Sequence, residues 1–185
     1  MNAHVFWNNK AVTYVAVTLV FASIYTLNNL LTAPLLLAPG AHLVHLPSGF
    51  KFLFVLVFGF IGALSIFTVS LLAALVFYFK GMVPLSIELA LANACAPLLA
   101  TKFFRDQGLI RHDLADLNWK ILLIMGLLFS GLNTAFNQLV LYWNQMTINM
   151  MDGMLIMFVG DITGVLVVIG LIRAILAVYK PNRSL

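Results

Sequence analysis

From residue 50 to residue 79 the chain carries one charge, Lys51, in thirty positions that are otherwise apolar with scattered Gly, Ser and Thr. A helix in the core of a water-soluble domain keeps a polar face, and this stretch has none. The fold must therefore hide its helices in lipid. Composition agrees, because 9% of residues are charged and 63% are hydrophobic, against about 25% charged in an ordinary globular chain. Barrel strands would alternate apolar and polar residues over about 10 positions, and no such alternation is present. The expected class is all-α, a polytopic transmembrane helical bundle.

The 185 residues leave room for about five to seven spans with short connections. The longest polar segment, 102–120, is a loop, so a single integral membrane domain over 1–185 is expected. Cys95 is the one cysteine, which excludes an internal disulfide. The net charge of +4 does not point to nucleic acid, since the basic residues mark helix ends. The first apolar segment could pass for a signal peptide. Because the chain begins at Met1, it is expected to remain as an anchor.

Segment 11–27 is the first span, after Trp7 and Lys10 and before Asn28 and Asn29. Segment 30–46 is broken by Pro34, Pro39 and Gly40, and reads as irregular or re-entrant, which lipid tolerates only where protein covers the backbone. Pro47, Ser48 and Gly49 open the long apolar run. Further spans cover 84–104, 119–142 and 153–179, with a basic tail behind. Lys102, Arg105, Arg111 and Lys120 mark one loop as cytoplasmic, while the loop between Tyr142 and Gly153 lacks Lys and Arg and should face outward. Lys180 and Arg183 put the C-terminus inside, and Lys10 does the same for the N-terminus.

Both ends inside requires an even number of crossings, yet the plain spans number five. Either 30–46 crosses as a broken helix, or 50–79 folds into two short spans near Gly59 and Gly62. A single helix over that run would be about 45 Å long, half again the hydrocarbon thickness. Both repairs give six passes.

Several stretches together resemble the integral membrane sensory domain of the first membrane-associated sensor class, found at the N-terminus of many bacterial histidine kinases and diguanylate cyclases. They are Leu46-Pro47-Ser48-Gly49, the Gly59 and Gly62 pair, segment 90–100 and the Gly160-Asp161-Ile162-Thr163-Gly164 stretch. Leu46 stands where that family usually carries Trp. No kinase or cyclase domain is expected behind Leu185. The resemblance implies a stand-alone sensor that acts through another protein in the bacterial inner membrane.

Asp161 is the most informative single residue. A carboxylate in mid-membrane costs several kcal/mol, so it should face the bundle and meet a polar partner. It is either a ligand-binding, ion-binding or proton-responsive group, or a structural bond between helices. Arg173 lies about 18 Å further along the helix and is expected to snorkel to the cytoplasmic surface. Gly160 and Gly164 form a G-x-x-x-G pair that packs within the chain or against another subunit. Glu88, Asn93, Asn133, Asn137 and Gln138 could surround Asp161, as a ligand site or as interhelical glue. Met146, Met150, Met151, Met154 and Met157 crowd one outward segment; without a neighbouring His or Cys they read as adaptable apolar residues rather than a metal site. His42 and His45 read as solvated or interfacial.

No phosphate loop, metalloprotease helix or Cys-pair metal site is written in the chain. The expectation is a non-enzymatic membrane protein with no metal site and no cofactor that the sequence names. Its partners would be membrane lipids and another membrane protein or complex. Two rival roles remain open: an accessory subunit of a larger respiratory or photosynthetic complex, and a small transporter or substrate-binding subunit.

Overall fold

A computed structural model of the chain describes residues 9–31, 36–38, 41–42, 45–111, 114, 118–147 and 149–179. Its helices are α1 (Lys10–Leu31), α2 (Leu46–Phe58), α3 (Phe60–Ala73), α4 (Val83–Asp106), α5 (Trp119–Trp143) and α6 (Met150–Tyr179). α3 continues as a π-helical turn, Ala74–Tyr78. Between α1 and α2 lie two very short antiparallel strands, β1 (Leu36–Ala38) and β2 (Ala41–His42). Five of the six helices, all but α2, are long and apolar enough to cross a membrane.

The boundaries follow from local chemistry. Asn9 accepts from the amides of Ala11 and Val12 and starts α1. Pro47 and Pro84 occupy first-turn positions of α2 and α4, where a missing N–H costs nothing. Asn118 caps α5 by accepting from Ile121 N at 3.0 Å.

The thirty-residue apolar run is cut at Gly59, which has φ 57° and ψ −126°, a conformation that a side chain resists. Just beyond, Gly62 lies so close to the Phe54 carbonyl that a Cβ there would collide with it. The corner turns the chain back on itself, so the sixth helix comes from the split run. Segment 30–46 does not supply it among the described residues: α1 runs on through Leu31, and 36–38 pairs with 41–42.

Side-chain contacts fix the helix directions. Asn28 accepts from Leu46 N at 3.0 Å and Phe21 meets Phe54, so α1 and α2 are antiparallel. Asn93 with Asn137 and Glu88 with Asn144 set α4 antiparallel to α5. Asn133 with Asp161 and Gln138 with Met157 do the same for α5 and α6. Successive helices alternate in direction. One end of the bundle gathers Lys10, the Gly59 corner, Lys102, Arg105 and Lys120; the other gathers Leu31, Lys80, Trp143 and Met150. Lys180 and Arg183 lie outside the described residues.

Short α2 is the centre and touches every other helix. Its Phe52 stacks on Phe129 of α5, with Leu56, Met125 and Val165 in the same cluster. Its Val55 packs with Phe21, Ala63 and Ile66. Small residues such as Ala90, Ala96 and Ala100 let α4 lie close to its neighbours. Leu19, Leu30, Phe60, Phe77 and Leu171 point outward and form an apolar belt suited to acyl chains.

Candidate functional site

Asp161 lies near the middle of α6 and is 3% exposed. Two glycines make room for what it holds. A Cβ on Gly164 would overlap the His45 carbonyl, and one on Gly49 would overlap Gly164, so the start of α2 and the middle of α6 touch backbone to backbone. His45 N donates to Gly160 O at 3.2 Å. The G-x-x-x-G pair is thus used in packing within the chain.

This approach brings three donors to the carboxylate. Ser48 donates through Oγ to Asp161 Oδ1. His45 Nδ1 lies 3.4 Å from the same oxygen and 2.8 Å from Ser48 Oγ. On the other side, Asn133 Nδ2 donates to Oδ2 at 2.6 Å. The negative charge also faces the first turn of α2, where the positive end of the helix dipole favours it. One side chain ties α2, α5 and α6 together.

From there a line of amides crosses to α4. Asn137 Nδ2 donates to Asn133 O at 2.8 Å, and Asn93 Nδ2 reaches Asn137 Oδ1 at 3.4 Å. Asn93 Oδ1 accepts from Lys51 Nζ at 2.5 Å. Lys51 is 2% exposed, a buried cation in the central helix. Asp161 and Lys51 face a common cavity of about 60 Å³ and attract each other across it. Asn93, Asn133, Asn137, Tyr25 and Ser70 complete its polar lining. The cavity extends past Met157, Leu141 and Tyr78 toward the Trp143 end of the bundle. Ala74 and Tyr78 enter it from the π-helical turn, a distortion that recurs at functional sites.

The residues expected at the site divide. Asp161, Asn93, Asn133 and Asn137 meet there. Glu88 does not: it is exposed near the start of α4 and accepts from Asn144 Nδ2 at 2.7 Å. Gln138 is buried beside Gly153 and donates to Met157 Sδ at 2.8 Å, apart from the carboxylate. Met157 reaches the cavity, while Met146 and Met151 are exposed. Arg173 is exposed on α6. Among the described residues no group of three His, Cys, Asp or Glu side chains converges on a point where a metal could sit.

Several residues in and around the site escape a reading of the sequence, Tyr25 and Ser70 of the cavity lining among them. His45 had the pattern of an interfacial histidine, yet its side chain is 12% exposed and touches Asp161. The side chain of His42 lies outside the described residues. Ser48 looks like part of a turn, and Asn28 looks like the polar end of a span, but both are fully buried. Lys51 gave the one available signal, a lone charge in an apolar run.

No family model, curated protein or solved structure matches the chain. The cavity presents a neutral rim of amides and phenols around one ammonium and one carboxylate, with room for a few water molecules or a small solute.

Proposed function

We propose that the chain is a six-pass, non-enzymatic protein of a bacterial inner membrane, with both termini cytoplasmic, that recognises a small polar ligand in its central cavity. It passes the bound state on through another membrane protein, as the resemblance to a sensory domain implies. The observation that carries the reading is the cavity itself. Asp161 and the asparagines also join helices, but Lys51 is buried beside open space with an amide oxygen as its hydrogen-bond partner, a cost that a bound solute would offset. The alternating helix directions and the basic end that includes Lys102, Arg105 and Lys120 support six crossings and the cytoplasmic assignment.

Purification in a mild, lipid-preserving detergent, followed by identification of co-migrating chains, tests the partner. A stoichiometric membrane protein whose association changes when Asp161→Asn replaces the native chain supports signalling. A chain that runs alone under all conditions removes it.

A second reading is a small transporter. It is favoured by one feature, a helix that begins at mid-bundle beside a cavity leading to one end, as at transporter midplane sites. Solute flux into proteoliposomes containing the purified chain alone separates the two, because a sensor gives none.

A further inference from the structure

We propose that the cavity receives a small monovalent anion, anchored by the Lys51 ammonium and entering from the Trp143 end of the bundle. This rests on the reading of the cavity as a ligand site and names what that site takes.

The argument begins with the carboxylate, which is already committed. Asp161 accepts from Ser48 and His45 on one oxygen and from Asn133 on the other. Those bonds use most of the acceptor capacity of a carboxylate. They leave little with which to ligate a cation, and Lys51 facing the same space repels one.

Lys51 is in the opposite position. Its ammonium offers three donors, and Asn93 Oδ1 takes one. Among the described residues the ion pairs are His45 with Asp161 and Lys102 with Asp106, so no carboxylate lies within 4.0 Å of Lys51. Attraction from Asp161 across the cavity is a poor substitute for a contact, since a cation held out of water needs a counter-charge with good geometry. A ligand with one negative charge and lone pairs supplies both.

An independent observation points into the same space. Ser70 Oγ lines the cavity, is buried, and has no hydrogen-bond partner among the described residues, which leaves a hydroxyl donor waiting. Size then narrows the class. A cavity of about 60 Å³ suits a solute of about four water-sized atoms, such as chloride, nitrate, formate or acetate. Lipid headgroups and nucleotides are too large. Entry is from the rim of Tyr78, Leu141 and Met157, because the cluster of Phe52, Met125 and Phe129 closes the other side.

The test uses the full chain in lipid nanodiscs, with Tm read from tryptophan fluorescence. Sodium chloride, nitrate, formate and acetate are titrated against gluconate at constant ionic strength, gluconate being too large to enter. At least one of the four anions should raise Tm saturably, and Lys51→Met should remove the response. Ser70→Ala, which deletes an unpartnered hydroxyl and spares the packing, should weaken the midpoint about fivefold, the worth of one hydrogen bond. If Lys51→Met fails to fold, Ser70→Ala and the cavity-filling Ser70→Val decide. Midpoints unchanged in both would show that the ion binds elsewhere and end the proposal. Urea and ethylene glycol serve as uncharged probes. Saturable stabilisation by one of them, sensitive to Ser70→Val and matched by no anion, would overturn the anion assignment while keeping the cavity as a ligand site. No saturable response to any probe would overturn both.

Discussion

Asn133 on α5 holds Asp161 on α6 through a 2.6 Å hydrogen bond from Nδ2 to Oδ2, leaving the second carboxylate oxygen to the start of α2. The bond matters because it makes one acidic group the joint of three helices. Removing either partner has an outcome set by what is left behind.

Asp161→Ala strands Ser48 and Asn133 without their acceptor in the buried centre of the bundle. We expect a loss of about 3 kcal/mol, in line with removing one member of a buried charged hydrogen-bond set. Asn133→Ala leaves the carboxylate its other donors and should cost about 1–2 kcal/mol. Thermal unfolding in a single detergent compares the two; a larger loss for Asn133→Ala would contradict the assignment of Asp161 as the joint.

Gly164→Ala tests the backbone contact between α2 and α6. Its Cβ would overlap the His45 carbonyl, which no rotamer can avoid, so about 1–3 kcal/mol should be lost by overpacking. Gly131→Ala is the control, on a helix face with nothing within 4 Å. It should be neutral or slightly stabilising, because alanine favours the helix. Equal melting temperatures for the two variants would argue against the close approach.

Gly59→Ala separates conformation from packing. Nothing lies within 4 Å of the position a Cβ would take, yet φ is +57°. The cost should therefore be backbone strain alone, about 1–3 kcal/mol. Gly59→Val should be at least as costly, despite the open space around it. A stable Gly59→Ala variant would mean that the corner can be made with ordinary dihedrals.

Membrane orientation is open to labelling. In a Cys95→Ala background, Thr147→Cys lies just after α5 and Gln107→Cys just after α4, at opposite ends of the bundle. An impermeant maleimide added to intact cells should modify the first and spare the second. The reverse pattern would invert the topology.

The sequence announced the parts of this fold that depend on hydrophobicity alone. Five spans could be read from apolar length, and the excess length of the 50–79 run made a split near Gly59 one of two repairs, the one the helices take. Asp161 was legible because an ionisable group in lipid must be answered, and Asn133 and Asn137 because a four-residue spacing keeps both on one face. His45 and Ser48 were not, for a common reason. Each lies at the start of α2, and their depth depends on where that helix begins, which only the packing of Gly49 against Gly164 determines. Glu88 misled for the same reason in reverse: its helix is a span, but Glu88 lies near its rim.

The brevity of α2 has a geometric result. Thirteen residues rise about 20 Å, some 10 Å less than the hydrocarbon they would have to traverse. Among the described residues the central axis is helical for only about two thirds of the way. The cavity therefore sits beside the blunt upstream end of α2 at His45, where the five longer helices run on past it.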